Sequence, residues 1–125
     1  MTIDTVNTPS SFLKDVDPDT GAAFRTLRDA IGRAGPLDHA QAELIILAGF
    51  VTAGFEDPFK IHALRMVRQG MTAATLRHMV LLLLGASLPM YPAARALDWI
   101  DVVMAQHAAE TGVVVDRPRQ EKTWQ

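Results

Sequence analysis

Apolar side chains recur along this chain at three- and four-residue intervals, and no stretch alternates at period two long enough to build a sheet. The pattern predicts an all-α protein of five helices. The first fits residues 20–34, with Phe24, Leu27 and Ile31 as one apolar stripe and Gly35-Pro36 as the stop. The second begins at Asp38, a good N-cap, runs to about Ala53 and ends at Gly54. From Leu44 to Val51 only Gly49 is neither hydrocarbon nor aromatic, and a helix apolar on every side is expected to be buried on every side. The third takes Asp57 as N-cap and Pro58 as its first helical residue, and Gly70 stops it. Thr72 caps a fourth that reaches about Leu84, where Gly85, Ser87 and Pro89 break it. The fifth runs from Pro92 to about Ala109, carries Leu97, Ile100 and Met104 on one face, and ends at Gly112. These helices form one domain over residues 19–112. Residues 1–18, polar and holding Pro9 and Pro18, read as an irregular N-terminal arm, and 113–125 as a tail with a short β-prone VVV.

Two helices that look buried all round are more than a small bundle can hide. The surplus predicts a subunit interface, because obligate interfaces resemble a core cut in half, and a cyclic homo-oligomer is the default.

Composition narrows the classes. The chain has 125 residues, 49% apolar and 21% charged, which suits one globular domain. A net charge of -2 gives no electrostatic footprint for nucleic acid. The absence of cysteine removes disulfides, thiolate catalysis and cysteine-ligated metals. The N-terminus lacks the basic and apolar regions of a signal peptide, and no apolar run is long enough to span a bilayer. The expectation is a soluble cytoplasmic protein.

Two residues stand out for chemistry. Glu43 opens the most apolar stretch of the first half, and His62 follows nineteen residues later across the expected turn. A carboxylate beside so much apolar surface costs free energy unless it is paired or neutralised. Burial would raise its pKa and fit it for acid–base work. The structural alternative is a solvated carboxylate near the helix start. His62 can move protons near neutral pH, and a carboxylate on the facing helix would fix its tautomer. Its structural alternative is a core or interface histidine. At 1.5 Å per residue, Glu43 lies about 16 Å below the turn and His62 about 9 Å. The unequal depths predict a relay, with a crossing angle or a water absorbing the difference.

His39, one turn from Glu43, could add a metal ligand, but no recognised metal-binding spacing is present. Arg65 and Arg68 could meet an acidic substrate or simply line a solvated face. Phe55, Pro58, Phe59, Met66 and Met71 could wall a pocket, or be plain core, and Asp57 and His78 are further pocket candidates. No metal and no cofactor are implied.

The stretch from Leu37 to about Trp99 resembles the carboxymuconolactone decarboxylase family, whose relatives include the alkylhydroperoxidase D proteins. The matching landmarks are Leu37-Asp38, Glu43-Leu44-Ile45, Ile61-His62, the phrase HALRMVRQGMT and the later break GASLPMYPAA. The resemblance implies a five- to six-helix bundle assembling as trimers or hexamers. In the peroxidase branch, glutamate and histidine positions fall on Glu43 and His62, and the two cysteine positions on Phe55 and Pro58. Without thiols that peroxidase chemistry is closed. The decarboxylase branch needs none, so the resemblance implies a lyase or isomerase acting on an acidic lactone or enone. His62 would be the general acid/base, and Glu43 would hold it. Ala42 and Leu64 stand where basic residues are common in that branch, and His78 where an acidic one is. These departures point away from carboxymuconolactone itself. The alternatives are a cofactor-free oxidase, cyclase or dehydratase on the same scaffold, and a non-catalytic oligomeric binding protein.

Overall fold

Asp38 accepts from the Gln41 amide, and the Gln41 side chain returns a bond to the Asp38 amide. This capping box starts the longest apolar helix of the first half where the sequence placed it. In the computed structural model, which describes residues 2–112, six helices follow one another. They are α1 (Pro9–Val16), α2 (Pro18–Gly32), α3 (His39–Ala53), α4 (Glu56–Arg68), α5 (Ala73–Leu83) and α6 (Met90–Thr111). The described residues hold no strand, and none of their helices is long and apolar enough to cross a membrane. The VVV of the expected tail lies outside the described residues.

The expected irregular arm contains α1. Thr8 caps it, Pro9 supplies a preset first residue, and Ser11 completes a second capping box. Three short-range signals therefore outweigh the polar composition. The segment before α1 is tied down as well. Gln106 on α6 accepts from the Ile3 amide and donates to the Ile3 carbonyl. α2 then doubles back on α1. A Cβ at Gly21 would stand 2.6 Å from the Lys14 Cα, so the close approach of the two helices requires glycine there.

Between α3 and α4 the chain turns within two residues. Gly54 adopts the left-handed conformation (φ 77°), and the Phe55 amide reaches back to the Phe50 carbonyl. This tight closure places Phe55, not Asp57, at the N-cap of α4, with no side-chain cap. Asp57 sits in the first turn beside Glu56, where a carboxylate favours the helix dipole. The last helix begins at Met90, two residues ahead of expectation, since Pro92 fits within a first turn that has no amide bond to lose.

α4 packs between α3 and α6, and α5 closes the body against α3 and α6. The core is built from Leu47 and Val51, Phe59 and Leu64, Leu76 and Val80, and Ile100 and Val103, all fully or almost fully buried. Trp99 lies against Phe59 with ring centroids 5.6 Å apart. The expectation of burial on every side does not hold within one chain. Ile45 on α3 and Leu81 and Leu82 on α5 are more than half exposed, because each helix meets the body along one flank only. In α2 no residue is buried, and Phe24, Leu27 and Ile31 face outward.

Candidate active site

Glu43 lies in the second turn of α3 and His62 in the second turn of α4. The Glu43 carboxylate accepts from His62 Nδ1 at 2.9 Å. Side chains lean toward their helix N-terminus, which would widen the offset of roughly 7 Å in an ideal antiparallel hairpin. The direct contact therefore requires α3 and α4 to depart from that ideal, and no bridging water is needed. The Phe50 ring stands edge-on to the imidazole, 5.2 Å between centroids, and closes one side of the pair. Phe50 is two turns beyond Glu43 on the same flank of α3, a spacing that could have marked it in the sequence.

The bond settles the tautomer. A carboxylate only accepts, so Nδ1 carries the proton, and His62 Nε2 keeps its lone pair in the neutral ring. Nε2 has no hydrogen-bond partner among the described residues. The Glu43 carboxyl is held below its usual range, chiefly by the hydrogen bond from His62. Burial pushes the other way and loses, while the nearby His62, His39 and Arg28 add to the lowering. This reverses the expectation that burial would raise Glu43: once a donor faces it, the fold retains the anion.

One turn beyond the pair, the start of α3, the end of α4 and the start of α5 enclose an open groove of about 560 Å³. His39 and Leu44 line it from α3, Met66 and Gln69 from α4 and its end, and Met71 and Thr75 from the approach to α5. Glu43 and His62 do not line it. His39, Met66 and Gln69 are related to the pair by helical steps of four and seven; of the lining residues, Met66 and Met71 were expected in a pocket.

The other expected site residues scatter. Phe59 is fully buried against Trp99, where it serves the core rather than a pocket wall. Arg65 donates to the Thr5 carbonyl, and Arg68 to Thr5 Oγ1 and to both Glu110 oxygens. Arg65, expected to meet an acidic substrate, instead anchors the N-terminal segment. Phe55 and Asp57 lie exposed at the start of α4 and His78 on the surface of α5, and none of the three lines the groove. Among the described residues no three His, Asp or Glu side chains are grouped to hold a metal ion.

No family model matches this chain, and no curated protein and no solved structure matches it either. The chemistry is therefore read from the pair and its surroundings.

Proposed function

We propose that this chain is a cytoplasmic, cofactor-free enzyme of the lyase or isomerase type. It moves a proton on an acidic lactone or enone-type small molecule, as the resemblance to carboxymuconolactone decarboxylases implies. The observation that carries the reading is the 2.9 Å bond between the Glu43 carboxylate and His62 Nδ1 in a partly shielded setting. With Nδ1 occupied, Nε2 is the working nitrogen. It can take a proton from a carbon next to a carbonyl, and the electron pair of the broken C–H bond moves into the carbonyl as an enolate. Returning the proton to a different carbon shifts the double bond. After loss of carbon dioxide, the ring, first charged at Nε2 by a proton taken from water, can give that proton to the carbanion left behind and return to its neutral form. The positive charge that the ring gains on taking the proton faces the Glu43 carboxylate, which orients and steadies it.

Assembly into trimers or hexamers belongs to the same proposal. Its support is the apolar surface that one chain leaves open at Ile45, Leu81 and Leu82.

The test is solvent-proton exchange. A panel of unsaturated lactones and enones, incubated with the protein in deuterated buffer, is read by NMR for deuterium beside the carbonyl. A subset of the panel is expected to exchange, and His62→Gln is expected to slow exchange by about 10²- to 10⁴-fold with the helical signal intact. Exchange that persists unchanged in that variant removes the mechanism. One observation favours a non-catalytic binding protein as the second reading: the groove lies a turn away from His62. Groove binding without exchange of any guest would select it.

A further inference from the structure

Gly21 apart, every residue of α2 is exposed. The helix lies along α1, which buries no residue either, and neither of them packs extensively on α3–α6. Helices of 8 and 15 residues draw most of their stability from an apolar face that something covers. α2 has such a face in Phe24, Leu27 and Ile31, at helical steps of three and four, and it stands open. The root of this arm is fixed: Gln106 holds Ile3, and Arg65 and Arg68 hold Thr5. The body has an open face of its own. α3 and α5 pack side by side, and Ile45, Leu81 and Leu82 on them are more than half exposed. No exposed residue of either helix is Lys, Arg, Asp or Glu, and their exposed titratable groups are His39 and His78. In α4, by contrast, all the exposed residues, Glu56, Asp57, Arg65 and Arg68, are charged. Depletion of charge marks the core of a protein interface, and the α3–α5 flank carries that mark while α4 does not. Gly49, one turn beyond Ile45, has open space where a side chain would stand, which leaves room for an incoming group.

We infer that the α1–α2 arm of one chain lies across the α3–α5 flank of a second copy, with Phe24, Leu27 and Ile31 set against Ile45, Leu81 and Leu82. A foreign protein seated on either patch would leave the other open. A second copy covers both, because each chain gives one arm and receives one, and the count closes in a two-fold pair or around a ring. The six side chains are each about half exposed, so two such contacts cover about 1,200 Å² of apolar surface, the size of a standard interface. The inference rests on the assembly reading above, to which it gives a contact surface, and needs nothing from the catalytic one.

A chain without cysteine allows a direct test, since each thiol introduced is unique. Ala30 borders the α2 stripe, and Ala74 lies on the exposed row of α5 that holds His78 and Leu81. Full-length chains with Ala30→Cys and chains with Ala74→Cys, carrying tags of different mass, are co-expressed and treated with a short bismaleimide. A cross-linked pair holding one chain of each kind is expected. Leu27→Asp and Leu81→Asp test the same contact from its two sides. Both residues are exposed in the single chain, so the helical signal is expected to stay. The dissociation constant of the assembly, read by sedimentation, is expected to rise at least about 10²-fold in each, because each places an unpaired charge in the contact. Asp57→Ala on the charged flank is the control and is expected to leave it unchanged. Assembly that survives both aspartate variants, or that yields no mixed cross-link, overturns the arm contact and leaves assembly through another surface standing. A wild-type chain that sediments singly at every concentration overturns the contact and the assembly reading together. Neither result bears on the proton-transfer reading, which deuterium exchange tests separately.

Discussion

On the α3 side of α4, a glutamate meets a histidine with side chains 15% and 29% exposed. On the α6 side, Glu110 meets Arg68 with side chains 34% and 39% exposed. Both glutamates are held below their usual range, and in both the hydrogen bond from the basic partner is the leading cause. The physical content differs. Arg68 stays charged at any working pH, so its pair has one state and serves to fasten α4, α6 and Thr5 together. The imidazole of His62 can both give and take a proton, and its second nitrogen has no partner among the described residues. A lowered carboxyl pKa therefore does not identify a working site. What sets the His62 pair apart is a partner that can give up its proton and a second ring nitrogen with no partner among the described residues.

The comparison can be broken most severely at the core that carries both sides. Phe59→Ala is expected to cost about 3–5 kcal/mol in urea unfolding, the range for emptying a buried aromatic site. A loss near zero would return Phe59 to the list of pocket residues. Glu43→Gln keeps the shape and removes the charge, so exchange into a responsive lactone or enone is expected to fall about 10- to 10²-fold, less than in His62→Gln. The same variant sharpens the pH argument. The folded Glu43 carboxyl lies below its usual 4.5, so the unfolded chain binds this proton more tightly than the folded one. The pair thus contributes stability above that value and loses it as pH falls through the lowered one. The stability gap between wild type and Glu43→Gln is expected to be full at neutral pH and to shrink under acid. A gap that grew on acidification would contradict the assignment.

Smaller effects test the register and the far side. Gly54→Ala forces a side chain into a left-handed turn, with the Arg95 guanidinium 3.3 Å from the new Cβ. It is expected to cost about 1–2 kcal/mol and to lower exchange as well, because this turn sets α3 against α4. Arg68→Ala removes an exposed pair, so neither the thermal midpoint in 0.15 M salt nor the exchange rate is expected to change measurably. A loss of exchange in Arg68→Ala would erase the distinction between the two sides.

The legible parts of this chain were those decided by neighbours in sequence. Asp38, Gly54, Thr72 and Gly112 mark helix ends because a cap or a left-handed turn is a matter of three or four residues. The same kind of signal was present and outweighed at Thr8-Pro9-Ser10-Ser11, where polar composition concealed a short helix. Asp57 has the composition of a cap but does not cap α4, because Gly54 closes the previous helix so tightly that α4 begins before it. Glu43 and His62 could be named as partners. The close bond between them, the fate of Arg65 and the burial of Phe59 could not.

Local order along the chain thus specified the helices, their ends and the two residues worth pairing, since caps, turns and periodicity act over a few bonds. The packing of α3 on α4 alone brought carboxylate to imidazole and kept the acid ionised, and the folding of the N-terminal segment against α4 and α6 gave Arg65 and Arg68 a partner in Thr5. Such outcomes depend on which groups meet in space, and a hydrogen bond made or missed across two helices can reverse the effect of burial on charge.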